Sequence, residues 1–99
     1  MKYTYPVIFQ DDTNNNSSHV CFPDFPYECD ISYSDYSDLM QKTALELGFA
    51  LYLREEAKQK FPRPNSINNR ILPPSSTMNF VECDYGKFKQ SLSVKNINL

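Results

Sequence analysis

Ninety-nine residues with a formal net charge of −2 make one domain, which buries roughly 60–65% of its unfolded surface and so needs no covalent staples. Three cysteines behind no signal-peptide pattern argue for free thiols in the reducing cytoplasm, and no apolar run approaches the ~18 residues of a membrane span. The near-neutral total hides an asymmetry, since residues 1–46 carry eight acids against Lys2 and Lys42, whereas residues 47–99 carry four acids against eight bases. The acidic half repels nucleic acid and suits a basic protein surface, unless it is simply a solvated face.

Residues 2–10 read as a strand in which Tyr3, Tyr5, Val7 and Phe9 alternate with Lys2, Thr4, Pro6, Ile8 and Gln10. Pro6 removes one ladder donor, which places it at a non-bonded position or on an edge. The polar, turn-forming run 11–18 is a solvated and mobile hairpin connection. A second strand over 18–22 turns Val20 and Phe22 inward, Pro23-Asp24-Phe25-Pro26 breaks the ladder, and a third strand over 29–33 sets Cys29, Ile31 and Tyr33 on one face.

The dominant element is a helix over 35–60. Asp35 stands as N-cap with Asp38 three residues on, and apolar residues recur at three-to-four spacing through Tyr36, Leu39, Met40, Thr43, Leu47, Ala50 and Leu51. A second stripe through Leu45, Phe49, Tyr52 and Leu53 exceeds what one sheet covers, which predicts a homodimer. Residues 61–77 form a proline-bearing loop pinned by Ile67, Ile71 and Leu72. A fourth strand follows over 78–83, reached through a right-handed β-α-β crossover. A short helix over 84–92 has Asp84 as cap, with Tyr85, Phe88 and Leu92 on one face. The expected fold is α+β, a two-layer βββαβ sheet under one long helix.

The run Phe22-Pro23-Asp24-Phe25-Pro26, set between a Lys2-Tyr3-Thr4-Tyr5-Pro6-Val7 strand and a capped helix, resembles the HicB-type antitoxin family. The likeness continues through Asp35 to Asp38, Ala50 to Glu55, Pro62 to Ser66 and Glu82 to Lys89. In place of the family's Gly-Cys after the turn stand Tyr27 and Glu28, with Cys29 one place later. The resemblance implies a partial RNase H-like fold that binds a small basic HicA-type toxin, an mRNA-cleaving ribonuclease, and covers its active site. It also implies a toxin-binding domain over 1–92 and a tail over 93–99 that begins a ribbon strand. DNA contact and autoregulation would fall to a module beyond these residues. The expected toxin contacts are Asp24, Phe25, Tyr27 and Glu28 in the turn, with Asp30, Asp35 and Asp38 around the helix start; Asp35 and Asp38 double as caps, and Phe25 as core.

Two other classes compete. An orphan HicB-like regulatory or dimerisation module without a toxin would show the same fold. A metal-dependent nuclease needs converging carboxylates, and the first strand carries no acid at its centre. His19 has no nucleophile or acid at fixed spacing, and the cysteines form no CxxC pair. No catalytic residue, metal or cofactor is therefore expected.

Overall fold

The computed structural model of the chain describes residues 1–25, 27–63 and 75–97. They form β1 (Lys2–Asp12), β2 (Ser17–Phe22), β3 (Tyr27–Ser32), α1 (Tyr36–Glu56), β4 (Ser76–Asp84) and α2 (Tyr85–Ile97), with a 3-10 turn, Thr13–Asn15, between β1 and β2. The sheet order is β3-β2-β1-β4 and every pairing is antiparallel. The expected two-layer α+β arrangement is therefore present, but the parallel crossover is not. Strand β4 joins the sheet at the edge opposite β3 and begins at the end where α1 also begins, where Asn79 Nδ2 donates to the Tyr36 hydroxyl at 2.8 Å. Its direction is consequently reversed.

Strand β1 sits in the middle because its alternation serves the helix-covered layer. Tyr5, Val7 and Phe9 face α1 together with Val20, Phe22, Ile31, Val81 and Cys83, all buried. The hairpin turn is tighter than its composition suggested. Asn15 Nδ2 donates to Asp12 Oδ2 at 2.7 Å and Asn16 takes the left-handed conformation, φ 48°, which asparagine tolerates well.

Pro6 is not on an edge, yet it costs no ladder bond. Tyr85 N–H donates to the Met1 carbonyl, so the odd-numbered residues of β1 face β4, and the even-numbered ones face β2. The β2 ladder begins only at Ile8 opposite Cys21. Pro6 thus points its missing donor past the end of β2.

Helix α1 starts where expected, with Asp35 Oδ1 accepting from Asp38 N–H at 2.8 Å. Its buried stripe is Leu39, Thr43, Leu47, Gly48, Ala50 and Leu51. Thr43 is fully buried and returns its hydroxyl to the Leu39 carbonyl at 2.7 Å. The helix stops at Glu56, four residues short of the expected end. Lys58 adopts φ 57°, and its N–H and that of Gln59 donate to the Glu55 and Arg54 carbonyls, closing a Schellman motif before Pro62 is reached.

Helix α2 is longer than expected. Asp84 Oδ1 accepts from Lys87 N–H, as a cap should, but the helix runs to Ile97, so residues 93–97 are helical where a ribbon strand was anticipated. It docks on α1 through a notch. A Cβ on Gly48 would lie 2.5 Å from the Phe88 ring, and Phe88 also meets Phe49 edge-on at 5.0 Å. The expected anchors Ile67, Ile71 and Leu72 lie outside the described residues.

Two substitutions test these joints by urea denaturation. Lys58→Gly relieves the left-handed strain and is expected to stabilise by ~1 kcal/mol, roughly 4–8 °C in Tm. Gly48→Ala gains ~1 kcal/mol of helix propensity but collides with Phe88, for a net loss of about 1–3 kcal/mol. Adding Phe88→Ala is expected to cancel the Gly48→Ala collision in a double-mutant cycle.

A candidate protein-binding surface

The residues singled out in the sequence separate into three groups. In the turn, Phe25 N–H closes on the Phe22 carbonyl at 2.9 Å, with Pro23 and Asp24 at the two central positions suited to them. The Phe25 side chain then enters the core, 5% exposed, edge-on to Tyr5 and with the Arg54 guanidinium 5.5 Å from its ring centre. It anchors the turn and offers nothing to a partner. Asp24 remains half-buried at the tip.

Tyr27 faces the helix side of the sheet. It packs against Phe22 and donates its hydroxyl to Glu46 Oε2 at 2.6 Å. Burial, then this bond to a carboxylate, pushes the phenol's pKa well up. Tyr27 thus ties β3 to α1.

Asp35 and Asp38 belong to the helix cap. Besides the Asp35 bond, Asp38 Oδ2 accepts from Ser34 N–H at 3.0 Å and pairs with Lys42 at 3.1 Å. These bonds, the Ser34 amide first, hold its carboxyl below the usual range. Both carboxylates serve the cap, and Asp38 is also paired with a lysine.

Glu28 and Asp30 are different. Side chains alternate along β3, so both project from the sheet face opposite α1, and the register sets His19 opposite Asp30 and diagonal to Glu28. His19 Nδ1 lies 2.7 Å from Asp30 Oδ1, and Nε2 lies 3.4 Å from Glu28 Oε1. The bond to Asp30 raises the imidazole pKa above its ordinary 6.5. All three groups are exposed enough to meet a partner, Asp30 most of all at 81%. Asp11 and Asp12 join His19 and Asp30 around an open hollow of about 500 Å³.

On the helix side of β3, a second open groove of about 380 Å³ is lined by Ile31, Ser32, Lys42, Leu45, Glu46 and Phe49, with Asp30 at its rim. Leu45 and Phe49 are half-exposed. Strand β3 therefore runs between an acidic face and a partly apolar groove. The grouping of His19 with Glu28 and Asp30, and of Glu46 with Tyr27, was invisible in the sequence because it depends on register and on the helix's rotation about its axis. The spacing 19, 28 and 30 becomes informative once a tight turn at 23–26 is assumed.

Among the described residues, no set of three His, Cys, Asp or Glu side chains is arranged to hold a metal ion. Cys21, Cys29 and Cys83 are joined in no disulfide, and burial pushes Cys29 and Cys83 each up to about 11, far from a reactive thiolate. Among the same residues, no helix is long and apolar enough to cross a membrane.

No family model and no curated protein matches the chain. Among solved structures, it is similar to a chain of a toxin–antitoxin complex from Streptococcus pneumoniae, with TM-score 0.71 and 24% identity, over 89% of this chain and 73% of that one. The likeness establishes a shared fold across nearly the whole chain.

The His19 cluster has a definite pH signature. Its folded pKa is raised, so the protonated ring stabilises the fold fully below pH ~6.5, and that contribution is lost as pH rises through the higher folded value. With the ring 43% exposed, solvent screening keeps the effect below ~1 kcal/mol. Thermal melts at pH 6 and pH 8 are expected to show this slope in the native chain and a flatter one in His19→Gln.

Proposed function

We propose that the chain is an antitoxin that binds and neutralises a small basic ribonuclease of the HicA type by covering its active site, without catalysis of its own. The observation that carries the reading is the fold shared with a chain of the pneumococcal toxin–antitoxin complex. The HicB-like run from Tyr5-Pro6 through Phe22 to Pro26 and on to Glu82 to Lys89 supports the finer assignment.

The physical argument is electrostatic. A ribonuclease that grips RNA phosphates presents a basic surface, and an acidic protein surface competes for it and steers the encounter. Three of the eight acids of the amino-terminal half are engaged by structural partners: Asp35 and Asp38 at the helix cap, Glu46 on Tyr27. Glu28 and Asp30 remain at the edge of the sheet, beside Asp11 and Asp12. We assign these the main electrostatic contact, with Asp24 at the neighbouring turn. The encounter takes place in the cytoplasm, where messenger RNA is the toxin's substrate. A homodimer is part of the same reading, supported by the exposed Leu53 on α1 and Phe80 on β4. DNA binding and autoregulation enter this reading only if a DNA-binding module accompanies these residues.

Co-expression with the protein encoded beside it, followed by size exclusion, tests this directly. The expected result is a stable co-eluting complex and restored growth, with the chain alone eluting as a dimer. The double variant Glu28→Lys/Asp30→Lys is expected to weaken the complex by about tenfold or more at physiological salt. A neighbouring protein that is neither toxic nor bound overturns the assignment.

A further inference from the structure

The edge of β3 carries more than charge. Tyr33 N–H donates to the Asn16 carbonyl at 3.0 Å, and residues 33 and 16 continue the β3–β2 register. Bonds to β2 therefore fall at the odd-numbered residues, Tyr27, Cys29 and Ile31, and the main-chain groups of Glu28, Asp30 and Ser32 point away from the sheet. The Lys42 ammonium confirms this geometry independently, since it donates to the Ser32 carbonyl at 2.7 Å from outside the ladder. Among the described residues, strand β3 pairs only with β2. Lys42 takes one outward acceptor at the end of β3, whereas the opposite edge is blunted at its middle, where the outward Phe80 N–H is taken by Asn79 Oδ1 at 3.1 Å and Glu82 pairs with Lys2.

From this geometry we infer that β3 is a strand-docking site, and that its occupant is an extended segment of a protein partner in which basic and apolar residues alternate. The alternation follows from the two sides of β3. A strand added at this edge shares the sheet's pleat, so every second side chain emerges on the face of Glu28 and Asp30, where a lysine or arginine meets the carboxylates. The intervening side chains emerge on the helix side, into the groove of Ile31, Leu45 and Phe49.

The same charges exclude a second copy of this chain. Two β3 strands paired edge to edge would bring Glu28 and Asp30 of one against the same acids of the other, and like charges directly opposite destabilise a ladder. The acids thus protect a free edge from self-association and leave it open to a basic strand. The inference rests on the antitoxin reading only for the partner's identity, since the docking mode is a property of β3 alone.

Amide hydrogen exchange on the native chain, free and in the co-expressed complex, tests the mode. The expected result is at least ~10-fold slower exchange at Glu28, Asp30 and Ser32. Cys29 and Ile31, whose amides point to β2, serve as the internal reference and are expected to change far less. A complex that forms while the amides of Glu28, Asp30 and Ser32 exchange as in the free chain overturns the docking mode and leaves the antitoxin reading standing.

If the neighbouring protein does not bind, a synthetic peptide of roughly eight alternating lysines and isoleucines, a typical strand length, decides the inference alone. It is expected to bind and protect the same amides, whereas a glutamate–isoleucine peptide is expected to fail. Absent or equal binding of the two overturns the proposal. Asp30→Pro removes one outward donor and Asp30→Asn removes only the charge. The proline variant is expected to weaken the lysine peptide at least ~10-fold relative to the asparagine variant, and equal affinities overturn the ladder.

Discussion

A single helix is narrower than a four-stranded sheet, and most of this domain's surface follows from that mismatch. Strands ~4.8 Å apart spread the four-stranded layer over about 14 Å between its outer strands, whereas a helix with its side chains is about 10–12 Å across. Helix α1 lies more closely over β4 than over β3. The β4 flank is then closed by α2, whose Phe88 fills the space left by the absent side chain of Gly48. The β3 flank has no such cover among the described residues, only the Tyr27–Glu46 and Lys42–Ser32 ties that fix its distance from α1. A core strand and a binding edge are therefore two sides of one packing solution.

The distribution of charge has the same origin. A count along the chain treats every acid alike, but folding assigns them different duties. Asp38 accepts from the Ser34 amide and pairs with Lys42, and Glu46 is held by a tyrosine hydroxyl. Such acids stabilise the fold and contribute little to the far field. Glu28 and Asp30 stand on the other face with a single imidazole between them, which orders both side chains while leaving them open to solvent. A lysine or arginine approaching there finds preorganised acceptors, a condition that raises both encounter rate and specificity.

Much of the fold was legible in the sequence, and the losses are instructive. The alternation of Tyr3, Tyr5, Val7 and Phe9 located the central strand, and Asp35 marked the helix start to the residue. The helix end was misplaced because Lys58 adopts a conformation usually taken by glycine, so no terminator stood where the helix stops. The direction of β4 was misjudged because strand direction depends on where a long connection delivers the chain, and composition carries no such information. Residues 93–97 alternate poorly as a strand and do little better as a helix. Their helical form follows from continuation of α2 beyond Phe88. Of the expected contacts, Glu28 and Asp30 form one cluster with His19, Asp24 remains half-buried at the turn, and Phe25 and Tyr27 work inside the domain.

On the proposed reading, an acidic edge of this domain silences a basic ribonuclease by occupying its RNA-binding face. The most direct measurement is RNA cleavage by the purified neighbouring protein, titrated with the native chain at low and at physiological salt. Complete inhibition is expected near stoichiometric addition, with the inhibition constant rising as salt screens the charges. Unabated cleavage at saturating chain, or inhibition indifferent to both salt and reversal of Glu28 and Asp30, would contradict it.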